Sequence, residues 1–257
     1  MTYVREGCLL ACTGILLLVL TSSSLPQQKR IYIANDDHTD YMWSGDEAAY
    51  QSAFLGMLDY YLNQADSTSG NASDFQGRFN TDGSFWLWTY QKNRTPAQFQ
   101  RLIDRIKDGH ITVPLQTLVM LYGSMPAEAV IRSMYYPGRI EREHNMRFEL
   151  VSAMENQTLS FGLPSLWAGA GGRFSWKGVC ACATNVAGLG NRGREIYRAV
   201  GPDGQSVVMK WHSLYPGSNQ ASGGYAEARD PAGAVTFASS DPTFLARYPF
   251  DEVVGMF

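Results

Sequence analysis

His38 and Asp40 stand one residue apart in the run Asp36-Asp37-His38-Thr39-Asp40, which Trp43 closes. The preceding residues, Arg30-Ile31-Tyr32-Ile33-Ala34-Asn35, form a short apolar segment with β character. In a strand, side chains at i and i+2 point to the same face. An imidazole nitrogen and a carboxylate oxygen on one face, at the C-terminal end of a strand, make half of a zinc site. The competing reading is a solvated polar turn, because His-x-Asp is common. Histidine is scarce, with only His38, His110, His144 and His212 in the chain, so few other imidazoles could complete a metal shell.

A chain of 257 residues can bury a sizeable core as one domain or two small ones. Hydrophobic residues make up 45% and charged residues 18%, which is a globular and not a disordered composition. The formal net charge of −3 gives no electrostatic reason to expect nucleic acid as a partner. The 14 Tyr, 12 Phe and 6 Trp suit stacking against sugar rings, and core packing accounts for most of them equally well.

Residues 1–28 are expected to be a signal peptide or N-terminal anchor, with residues 29–257 forming one domain. Arg5 gives a weak positive start, and Gly14-Ile15-Leu16-Leu17-Leu18-Val19-Leu20 is followed by Thr21-Ser22-Ser23-Ser24. That run is short for a membrane span, so export to the periplasm or the extracellular space is expected, with no stable span once the leader is removed. Leu9-Leu10-Ala11-Cys12 looks like a lipoprotein box but precedes most of the apolar run. Cys8 and Cys12 would leave with the leader. The remaining Cys180 and Cys182 are too close for an unstrained disulfide in most backbones and lack the second pair a structural zinc site needs.

Strand and helix signals then alternate, which argues for an α/β architecture. Gly45 to Asn63 reads as a helix, with Phe54, Leu55, Leu58 and Leu62 on one side. A Ser/Gly/Asn-rich loop follows, then a strand at Arg78–Asp82 and an aromatic patch at Phe85-Trp86-Leu87-Trp88. Thr95 and Pro96 read as the cap and first residue of a helix that stops at Gly109. His110–Val113 is a third strand, and helices are expected at Ala127–Met134 and Ile140–Ala153.

The order and intervals of these segments resemble the N-terminal catalytic domain of glycoside hydrolase family 38, the retaining α-mannosidases. His38-Thr39-Asp40-Tyr41-Met42-Trp43 keeps the His, Asp and Trp of that family's His-x-Asp-Pro-Gly-Trp. Phe79-Asn80-Thr81-Asp82 is similar to its Phe-x-x-Glu, with Asp for Glu. Ile106-Lys107-Asp108-Gly109-His110-Ile111-Thr112 looks like its helix-Gly-strand junction, and Gly201-Pro202-Asp203-Gly204 like its turn between two strands. The resemblance implies a seven-stranded (β/α) barrel of the glycoside hydrolase/deacetylase type, incomplete in this chain. It implies zinc held by His38, Asp40 and Glu155, with Trp43 and Asp82 at the substrate. Glu155, fifteen positions before Ala170-Gly171, takes the place of the family's nucleophilic Asp, although the wording around it differs. The family's general acid and last zinc-binding His fall beyond a segment resembling Asp251–Phe257, where this chain stops, so a truncated domain with little turnover is expected.

The implied function is zinc-dependent retaining hydrolysis of α-mannoside-type glycans. The alternatives are a non-catalytic carbohydrate-binding remnant and a zinc-dependent polysaccharide deacetylase, which Asp36-Asp37 invites although the His-x-x-x-His of such enzymes is absent. The sequence says nothing of the oligomeric state. Export makes the first prediction. Intact mass of protein from the native host should show a mature N-terminus between about Ser22 and Lys29, and a full-length mass would count against cleavage.

Overall fold

Chain order and strand order run together through most of this α/β fold. The computed structural model describes residues 30–34, 39–120, 122–152, 159–177, 193–211, 231–248 and 252–256. Strand β1 (Arg30–Ala34) pairs in parallel with β8 (Glu252–Met256), and β2 (Phe79–Asn80) with β3 (Ile111–Thr112). A four-stranded sheet has the order β4 (Leu150–Ser152), β5 (Phe174–Lys177), β7 (Ser206–Trp211), β6 (Ile196–Val200). Among the described strand pairs, only β6 and β7 run antiparallel. The amide of Leu115 donates to the carbonyl of Leu150 at 2.9 Å, so the chain leaving β3 runs onto β4.

Parallel neighbours need crossovers. Helices α2 (Ser84–Asn93) and α3 (Pro96–Lys107) join β2 to β3. Helices α4 (Ala127–Ser133) and α5 (Tyr135–His144) join β3 to β4, and α6 (Leu163–Gly169) joins β4 to β5. This is the expected repeating strand–helix pattern. A closed seven-stranded barrel is not present among the described residues, where the strands fall into sheets of two, two and four.

Helix α1 (Glu47–Thr68) starts where Asp46 accepts the Ala49 amide at 2.9 Å, and it buries Phe54, Leu58, Leu62 and Ala65. These positions recur every three or four residues, which sets one stripe against the core. Trp86 stacks on Phe54 with ring centroids 4.2 Å apart, and Phe79 stacks on Tyr61 at 3.9 Å. The aromatic patch after β2 is therefore the buried first turns of α2. Thr95 and Gln98 cap α3 reciprocally, with Pro96 in its first turn, as the sequence indicates.

The helix expected over Ile140–Ala153 is overturned. Helix α5 ends at His144 because Asn145 adopts the left-handed conformation, with φ 51°. The buried Glu141 carboxylate then accepts the Phe148 amide at 2.8 Å and pairs with Arg147 at 3.1 Å. Those bonds turn the chain into β4, where the period changes from helical to alternating. His144, in the last turn of α5, lies edge-on to Phe99 at 5.9 Å.

The last described helices, α7 (Pro231–Ser240) and α8 (Pro242–Arg247), had no counterpart in the sequence reading. Ala238, Phe244 and Tyr248 form a second small core against Ile196, while α7 packs on β1 and β8. Under α8, the fully buried Glu195 meets Lys210 at 3.2 Å and Arg247 at 4.0 Å, and the Lys210 ammonium lies 5.6 Å from the Phe244 ring. No helix among the described residues is long and apolar enough to cross a membrane. Glu195→Ala should leave two buried cations without their shared carboxylate and cost about 3–5 kcal/mol. Urea denaturation measures it, and a change under 1 kcal/mol would show that the trio is not what docks α8.

Candidate functional site

Parallel strands bring the loops that follow them to one side of a sheet, where open and closed α/β folds place their sites. Asp82 comes two residues after β2, and Thr39 and Asp40 follow β1. Asp82 is 2% exposed, and its Oδ2 accepts the Thr39 amide at 2.8 Å. That bond joins the loop after β1 to the end of β2 across 43 residues. The loop after β3 is joined in turn. Ser84 N–H donates to the Gln116 carbonyl at 2.8 Å and Phe85 N–H to Thr117 at 2.9 Å. Gly83 permits this approach, because a Cβ there would run into the Thr117 carbonyl.

Tyr122 is buried behind these loops, edge-on to Trp167 at 5.5 Å. Burial pushes its hydroxyl above the ordinary tyrosine range, and the Asp82 charge adds to the shift. The phenol therefore stays protonated at neutral pH.

Asp40 opens a tight turn whose Trp43 amide returns to the Asp40 carbonyl at 3.0 Å. Met42, inside that turn, has φ 64°. A non-glycine residue in this region costs about 1–2 kcal/mol, and Met42 occupies the Gly position of the family's Pro-Gly-Trp. Tyr50, from the first turn of α1, gathers the same loop. Its hydroxyl donates to the Asp40 carbonyl at 2.7 Å and accepts from the Trp43 and Ser44 amides at 3.1 Å each. Hydrogen bonding from Ser44 holds this hydroxyl below the ordinary tyrosine range. Thr39, Asp40, Trp43, Ser44, Tyr50 and Phe54 line a recess of about 270 Å³. Trp43 is 84% exposed and presents its indole to solvent beside the exposed Asp40.

Of the site residues read from sequence, Asp40, Trp43 and Asp82 converge on these loops. His38 and Glu155 lie outside the described residues, as do Cys180, Cys182, His212 and the leader. In chain order Glu155 follows the end of β4, as His38 follows β1. Among the described residues, no three His, Cys, Asp or Glu side chains gather to hold a metal ion. An exposed Asp40 joined by one imidazole and one further carboxylate is a donor set that zinc accepts, with a fourth position left open. Ala170-Gly171 forms the cap of α6, with Gly171 left-handed at φ 97°. The Gly201–Gly204 segment is the tight turn between β6 and β7, as expected. Thr39 and Tyr122 had no signal in the sequence, since each acts through a long-range contact; Tyr50 reaches back only to the Asp40–Ser44 loop, and nothing in its residue type announces that role.

A larger cavity of about 480 Å³ opens between β3, β4, β5 and β7, lined by Ile111, Leu150, Phe174, Trp176, Val208 and Lys210. It contains none of the residues of the β1 and β2 loops.

No family model matches the chain, and no curated protein matches it by sequence. Among solved structures, it is similar to an α-mannosidase from Enterococcus faecalis V583, with a TM-score of 0.66 and 16% identity over 89% of this chain and 24% of that one. A second is a glycosyl hydrolase family 38 protein from Enterococcus faecalis, with a TM-score of 0.59 and 14% identity over 90% of this chain and 23% of that one. The chain shares its α/β fold with the matching part of these structures. It spans about a quarter of their length.

The Asp82 bond carries a prediction. Asp82→Ala should destabilise the chain by about 1.5–3 kcal/mol, because a charged acceptor is lost from a buried amide. Asp82→Asn keeps an acceptor and should lose about half of that or less. Equal denaturation midpoints for wild type and Asp82→Ala would show that this bond does not hold the loops together.

Proposed function

We propose that this chain is the sugar-binding and nucleophile-bearing part of a zinc-dependent retaining glycoside hydrolase that acts on α-mannoside-type glycans. The observation that carries the reading is the shared fold of the family 38 structures, together with Asp40, Trp43 and Asp82 held on adjoining loops beyond β1 and β2. The strands are proposed to be parts of a (β/α) barrel of that type. His38, Asp40 and Glu155 would hold the zinc, which supplies a Lewis acid for sugar hydroxyls.

Trp43 offers an exposed indole face to the apolar face of a sugar ring. Glu155 is assigned the nucleophile's role, attacking the anomeric carbon to give a covalent glycosyl–enzyme. Its extra methylene relative to Asp shifts the attacking oxygen by about one bond length. Retaining hydrolysis also needs a carboxylic acid about 5–5.5 Å from the nucleophile, and such an acid contributes on the order of 10²–10⁴ in rate. An aryl α-mannoside with a good leaving group needs that acid least, so it is the fair substrate.

The expected outcome is slow turnover of such a mannoside that disappears in Glu155→Gln. Bound zinc should fall in both His38→Ala and Asp40→Ala. Equal, near-zero metal in all three proteins would overturn the ligand assignment. Release of acetate from an acetylated glycan, with no mannoside turnover, would replace this reading with a deacetylase.

A further inference from the structure

We propose that Tyr50 is a positioning residue for the glycan site, its hydroxyl holding the Asp40–Ser44 loop and with it Trp43 in the binding conformation. The inference rests on the glycoside hydrolase reading for its ligand, and on geometry alone for the loop.

A phenol has one proton to donate and two lone pairs. The Tyr50 proton goes to the Asp40 carbonyl, and the lone pairs take the Trp43 and Ser44 amides. One oxygen therefore bonds three main-chain groups of a five-residue loop, bridging the Trp43 amide and Asp40 carbonyl that also bond each other at 3.0 Å. The Ser44 hydroxyl, 3.1 Å away, makes a fourth contact. The ring itself is fixed from behind, edge-on to Tyr41 at 5.4 Å and to Phe54 at 6.2 Å. The oxygen is thus held by the core, and the loop is held by the oxygen.

The loop has reason to leave this conformation. Met42 sits left-handed without glycine's freedom, so the turn is not at its own minimum and persists through outside contacts. Trp43 is too exposed to be fixed by packing, so the direction of its indole follows the main chain. Removing the oxygen lets Met42 relax and turns Trp43 away from the sugar. Asp40, whose carbonyl accepts the Tyr50 proton, moves with it.

Tyr50→Phe is the test, since it keeps the ring packing. In the full chain, the Trp43 and Ser44 amides should exchange hydrogen about tenfold faster, with no change in α3 or β7. Affinity for methyl α-mannoside, read by calorimetry, should weaken about three- to thirtyfold. Adding Met42→Gly to Tyr50→Phe should recover part of that loss, because glycine adopts the turn without strain, while Met42→Gly alone changes little. Unaltered amide exchange in Tyr50→Phe, or an unaltered affinity for methyl α-mannoside, overturns the proposal. A wild type that binds no mannoside at all overturns the glycoside reading instead, and the exchange rates still decide whether Tyr50 holds the loop.

Discussion

The buried Asp82 carboxylate and the Thr39 amide it accepts make the contact on which the candidate site depends. Strands β1 and β8 form a pair of their own, and β2 and β3 form another. Among the described residues, sheet hydrogen bonds do not join those two pairs. A carboxylate at 2% exposure is costly to bury without hydrogen bonds, and its Oδ2 takes the Thr39 amide, so the end of β2 and the loop after β1 are held at one separation. Whatever chemistry Asp40 performs is performed from a loop fixed in this way to β2.

Two further features tighten the same corner. Gly83 lets the start of α2 approach the Gln116–Thr117 carbonyls, so the loop after β3 shares the frame. Tyr50 reaches out of α1 to close the turn that carries Asp40 and Trp43. The opposite arm of the molecule uses another device. There the Glu195, Lys210 and Arg247 charges are buried together under α8, and α7 bridges to β1 and β8. The β1–β8 pair is thus held from both sides, by a hydrogen-bonded carboxylate at one and by buried charges with a small aromatic core at the other.

Much of the local structure was legible. The cap at Thr95-Pro96, the stripe Phe54-Leu58-Leu62, the strands at Arg30 and Ile111, and the turn Gly201-Pro202-Asp203-Gly204 follow from rules that operate within a few residues. The failures fell where side-chain capture or burial decides. Ile140–Ala153 opens with helix-forming residues, yet Asn145 goes left-handed and Glu141 captures the Phe148 amide seven residues on, so the chain leaves the helix for β4. The Phe85–Trp88 segment read only as an aromatic patch, and the structure turns it inward: Trp86 and Leu87 are fully buried, with Trp86 stacked on Phe54 of α1.

The candidate site divides along the same line. Residue types and their order determined by themselves that an imidazole, carboxylates and an indole follow the first strands, and that alone suggested the family. Main-chain chemistry at Met42, by contrast, cannot be read from the string, because a methionine in a tight turn gives no sign of a positive φ. Nor can the use of Asp82, since a carboxylate two residues past a strand serves equally well as a solvated side chain, a sugar ligand or a clamp. Tertiary structure supplied what the string lacks, because burial strips the carboxylate of water and sets it to accept the Thr39 amide, 43 positions away in the chain.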